Sequence, residues 1–147
     1  MSNVLLGLRT VLYLVMTSMM YLFYTPLEYG RHKDFKPYIK EVRRLSKGNL
    51  SGKKISMNYT EYRPNALGTC LPWRNEIIIN KKHWQTMSHY DRILLIAHEI
   101  AHCEKGIKHI NGLEFWGCAK HFMHHQDTGK WCNRTRFREY VKQMQEI

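Results

Sequence analysis

Apolar residues recur at helical spacing from Asp34 to Ser46, where Phe35, Tyr38, Ile39, Val42 and Leu45 share a stripe. Lys40, Arg43, Arg44 and Lys47 fall on the opposite side and Gly48 supplies a stop, so this segment predicts an amphipathic helix. Lys53 to Tyr62 alternates and predicts a strand, and Pro64 to Gly68 turns the chain. The β-branched run Ile77-Ile78-Ile79, bounded by Arg74-Asn75 and Asn80-Lys81, predicts a short strand buried on both faces or lining a cleft. A second helix follows Ser88, an N-cap with Asp91 three residues on, and carries Ile93, Leu94, Ile96, Ala97, Ile100 and Ala101 as a buried surface up to Gly106. Phe115, Cys118, Ala119 and Phe122 again repeat at helical spacing and predict a helix from 113 to about 126, broken by Asp127-Thr128-Gly129. Phe137, Tyr140, Val141 and Met144 mark a final helix. The order is α+β: a helix, a short sheet, a central helix and C-terminal helices.

The amino end has a different pattern. From Val4 to Tyr24 the chain is apolar on nearly all sides, with Arg9 as its one charge. That length can cross the ~30 Å hydrocarbon core of a bilayer, and Arg9 can snorkel to the interface. A cleaved signal peptide would want a shorter apolar core and a small-residue cleavage site, which is missing before Thr25-Pro26; a packed core helix would want one apolar stripe. Residues 1–30 are therefore expected to be a hydrophobic, membrane-spanning segment, and residues 31–147 one compact domain.

Charge and cysteines refine that division. Between Arg31 and Lys54 there are 9 Lys or Arg against 2 acids, which by the positive-inside rule places the domain on the cytoplasmic side of a single span. Cys70, Cys103, Cys118 and Cys132 lack the rhythm of a disulfide framework, so free thiols in a reducing compartment are expected, with Cys118 to Cys132 the pair that could close on export. A net charge of +11 suits anionic lipid heads or nucleic-acid phosphates, or merely solubilises the surface.

The chemistry is concentrated in His98-Glu99-Ile100-Ala101-His102. Two histidines four apart on a helix share a face and can reach one Zn²⁺, and the glutamate beside the first can act on water. A catalytic zinc takes three protein ligands and keeps one position open. His109, beyond the turn at Gly106, is the natural third ligand, with Glu114 as the fallback. An apolar helix face with no metal is the plain alternative, but packing gives it no reason to hold Glu99. His121 and His125 share a face of the helix expected from 113; without a C-x-x-C pair beside them they suit a solvated face or the surroundings of the first metal better than a second one. His121, His124, His125 and Tyr140 are candidates to stabilise an oxyanion, and the sequence does not choose among them.

Residues 67 to 125 resemble the SprT-like group of zincin metallopeptidases and their small phage-type relatives, over somewhat under half the chain. The matching pieces are Leu67-Gly68-Thr69-Cys70, Glu76-Ile77-Ile78-Ile79-Asn80, Trp84, His98 to Cys103, His109 and Gly112-Leu113-Glu114-Phe115-Trp116. The usual His-Gly-x-x-F pattern is altered, since Asn111 precedes the glycine and His109 lies two residues earlier. The resemblance implies a minimal zincin-like fold, Zn²⁺ on His98, His102 and His109, and Glu99 as general base in peptide-bond hydrolysis. It also implies that the Glu76 to Asn80 strand grips an extended peptide by strand addition. A membrane-anchored zinc metallopeptidase acting on protein or peptide is the leading expectation. A soluble DNA-associated SprT-like protease, or a basic nucleic-acid-binding module with a non-catalytic metal site, is the alternative.

Overall fold

The computed structural model describes residues 33–61, 65–125, 127 and 129–147. The expected membrane segment at residues 1–30 lies outside them; no described helix is long and apolar enough to cross a membrane. A turn of 3-10 helix at Lys33–Phe35 leads into α1 (Lys36–Leu45), and β1 (Ser56–Thr60), β2 (Gly68–Leu71) and β3 (Glu76–Asn80) form the sheet. Then come α2 (Lys81–Thr86), the long α3 (His89–Lys105), α4 (Lys130–Thr135) and α5 (Phe137–Gln145). The architecture is mixed α+β, as the hydrophobic pattern predicts.

The sheet order is β1-β3-β2, with β3 parallel to β1 and antiparallel to β2. The chain passes the place of β3, runs along β2, turns over Pro72–Arg74 with Asn75 left-handed at φ 48°, and returns as the central strand. Ile77 and Ile79 are then fully buried, as the apolar run requires. A central strand has partners on both edges, so β3 cannot add a peptide as the resemblance implied. Among the described strands β2 is the edge on that side, and it lies against α3.

Helix α3 runs through the core. Ser88 accepts from the Asp91 amide and Asp91 returns a bond to the Ser88 amide, a complete capping box. Ile93, Ile96, Ala97, Ile100 and Ala101 are buried against Ile39 and Val42 of α1, Met57, Ile77 and Ile79 of the sheet, and Tyr140 and Met144 of α5. Gly106 closes the helix at φ 63°, a left-handed cap that reverses the chain one turn after His102.

Two expectations fail. Of the helix expected at 113–126, none forms among the described residues 113–125: Gly117 sits at φ 87°, outside helical space, and Leu113 bridges to Ala119 instead. The backbone there bonds to distant side chains, with Tyr140 donating to Ala119 and Gln143 pairing with both Lys120 and Phe122. Nor are the cysteines free: Cys70 pairs with Cys103 and Cys118 with Cys132, at Cα separations of 5.6 Å and 5.3 Å. The first bridge arises because β2 packs on α3, a neighbourhood that 33 residues of separation conceal. The second ties the loop that follows His109 to α4.

Candidate metal centre

His98 and His102 stand one turn apart on α3, and the reversal at Gly106 returns His109 to the same point. The Nε2 atom of His102 lies 3.0 Å from that of His98 and 3.1 Å from that of His109. One ligand atom from each of the three falls within 4.8 Å of the others. Imidazole nitrogens around a tetrahedral zinc at its usual bond length would be about 3.3 Å apart, so the three rings need to open only slightly to hold one.

The tautomers explain why this cluster wants a cation. Nδ1 of His98 is 3.0 Å from the Phe122 carbonyl and Nδ1 of His102 is bonded to the Ile107 carbonyl. A carbonyl only accepts, so both Nδ1 atoms carry hydrogen and, in neutral rings, both Nε2 atoms present lone pairs. Two facing lone pairs at that distance repel and cannot hydrogen-bond. A shared cation resolves the conflict, and carbonyl-bound Nδ1–H groups are the usual means of aiming imidazoles at a metal. Burial, partly offset by the Phe122 bond and reinforced by His102, His109 and His121, lowers the His98 pKa to about 4 and keeps that ring neutral. His109, more exposed, is lowered in the same direction by burial and then by His102, His125 and His124.

Glu99, with 5% of its surface exposed, lies on the side of α3 facing β2. Burial raises its pKa to about 7, and a hydrogen bond from the Cys70 amide pulls the other way. Gly68 makes the space: a Cβ there would come within 2.9 Å of Glu99 Oε1. His98, Glu99 and His109 line one cavity of about 590 Å³, together with Gly68, His121 and Phe122.

All four site residues named from sequence are thus brought together. Glu114 is not a ligand, because it pairs with Arg136 at 2.7 Å. Cys118 and Cys132 are bonded to each other, which removes them from any second metal site. Sequence reasoning did not pick out the supporting groups: the Phe122 and Ile107 carbonyls, the Cys70 amide and the space at Gly68. Only Gly68 left a signal, as a glycine among the residues that carry the family resemblance; it opens strand β2. No protein-family model, curated protein or solved structure matches the chain.

Proposed function

We propose that the chain is a zinc-dependent metallopeptidase of zincin-like design, resembling the SprT-like group, with His98, His102 and His109 holding the metal. The observation that carries this reading is the pair of carbonyl-fixed tautomers on His98 and His102, whose Nε2 lone pairs converge beside a buried glutamate. Zinc held by these three histidines would supply a Lewis acid, able to acidify water towards a pKa of ~7 and to polarise a carbonyl. Glu99, itself near pH 7 by burial, takes the proton from the attacking water and delivers it to the leaving amine. The outer side of β2, where the Cys70 amide is given to Glu99 and the Gly68 carbonyl to the Thr69 hydroxyl, flanks the cavity that receives the peptide. Imidazole also accepts other transition metals, and zinc is the choice that goes with the proposed hydrolysis.

The membrane anchor at residues 1–30 belongs to the same proposal. Phe115, Trp116 and Trp131, all exposed on segments joined by the Cys118–Cys132 bridge, suit a domain held near a lipid interface. Two disulfides in one small domain favour an oxidising compartment, so the proposed placement is on the exported face. That reverses the orientation inferred from charge, and it speaks against the DNA-associated alternative.

Metal analysis and casein hydrolysis of the wild type and Glu99→Gln test the assignment. The variant is expected to keep one equivalent of zinc and to lose about 10²- to 10⁴-fold in kcat. Unchanged hydrolysis with zinc still bound would remove Glu99 from the mechanism.

A further inference from the structure

Peptide hydrolysis needs a donor for the oxygen that gains charge, and the cavity holds one ring already set up to donate. The Met123 amide donates to Nδ1 of His121 at 3.0 Å. An Nδ1 that accepts cannot carry hydrogen in a neutral ring, so the proton resides on Nε2. His98 and His102 have the opposite tautomer, fixed by carbonyls. The segment 121–123 therefore sets two rings at once: the Phe122 carbonyl makes His98 a ligand, and the Met123 amide makes His121 a donor.

The ring is also held in place. It stacks on Phe122 at 5.0 Å between centroids and 25° between planes, and it lines the cavity that Glu99 and His109 share. With Nδ1 occupied by the main chain, Nε2–H is the ring's remaining polar group, on a side chain that lines the cavity. The other candidates are engaged differently. Tyr140 donates its hydroxyl to the Ala119 carbonyl and is 1% exposed. His125 has Nδ1 on Asn111 Oδ1 at 2.6 Å, which leaves its Nε2 without a proton. His124 is buried and already engaged by its neighbours.

We propose that His121 is a catalytic residue of the metallopeptidase read above, its Nε2–H bonding the carbonyl oxygen of the scissile peptide as that oxygen becomes an oxyanion. Water adds to the carbonyl carbon, the C=O π pair moves onto oxygen, and Glu99 holds the proton that the water loses. His121 gives up no proton; it stabilises the charge until the C=O bond re-forms, the C–N bond breaks and Glu99 protonates the amine. The role rests on the hydrolase reading and can fail separately from it.

The test uses the zinc-loaded full chain. Long-range ¹H–¹⁵N spectra of the His121 ring should show the Nε2–H tautomer, and an Nδ1–H pattern would overturn the assignment. With casein as substrate, His121→Ala should keep its zinc and its circular dichroism while kcat falls about 10²- to 10³-fold and KM changes little. His121→Gln, whose amide N–H can stand near the position of Nε2, should recover roughly tenfold of that loss. A His121→Ala variant with wild-type kcat would overturn the donor role and leave the hydrolase reading intact. A zinc-loaded wild type that cleaves nothing would overturn both.

Discussion

Glu99 shows what a buried carboxyl does to the chain that carries it. Its ordinary pKa of 4.5 describes the unfolded chain, and burial raises it to about 7 in the folded one. Between those values the folded protein keeps a proton that the unfolded chain has released, so stability falls as pH rises through this window, by up to about 3 kcal/mol. Glu99→Gln has no such proton to lose and still offers an oxygen to the Cys70 amide. In the metal-free protein, urea denaturation should find the variant and wild type similar near about pH 4 and the variant more stable near about pH 8. A difference that does not grow between the two conditions would reject burial as the cause. At this scale the three-histidine cluster was legible because i, i+4 spacing on a helix is local geometry, and the left-handed turn at Gly106 returned His109 within a few residues. The Phe122 carbonyl and Cys70 amide were not legible, because main-chain groups have no sequence signature and reach the site only through tertiary packing.

Among the elements, α3 was predictable from end to end: its capping box, its buried face and its glycine stop are all written in neighbouring residues. Strand β2 was not, since Gly68-Thr69-Cys70-Leu71 has neither length nor alternation. The helix expected over 113–126 failed because a helical period can occur by chance in a segment whose glycines and distant hydrogen bonds dictate another course. What joins β2 to α3 is the Cys70–Cys103 bridge, which closes a loop of 33 residues between the Glu99-bonding amide and the residue after His102. Chain-entropy reasoning puts such a crosslink at about 3 to 4 kcal/mol. Replacing both cysteines by serine should cost roughly 2 to 4 kcal/mol in urea denaturation and lower hydrolysis while zinc stays bound. An unshifted midpoint would show that packing alone holds the strand.

Taken whole, the molecule is a basic domain, +11 in net charge, following an apolar amino-terminal run. On the proposed membrane anchoring, its two disulfides and the basic stretch after the apolar run favour opposite sides of a bilayer. The proposal follows the disulfides, because cytosolic thiols are kept reduced whereas orientation rules tolerate exceptions. Carbonate extraction should leave the full chain in the membrane fraction, and protease added to sealed cells should digest residues 31–147 without lysis. Release by carbonate would reject the anchor, and protection until lysis would return the domain to the cytoplasm. This contest was half visible in the sequence, where Cys118 and Cys132 offered a pair on export while Cys70 and Cys103 had no visible partners.

The cavity beside β2 has one more implication. If a rail of main-chain groups there grips the proposed peptide, it recognises any chain that can straighten beside it, whatever its side chains, and selectivity would come from which polypeptides are delivered to the site. The same groups would fit an extended segment of another copy. At high local density, such as crowding in a membrane plane, molecules could mask one another's clefts, and dilution would then raise turnover per molecule.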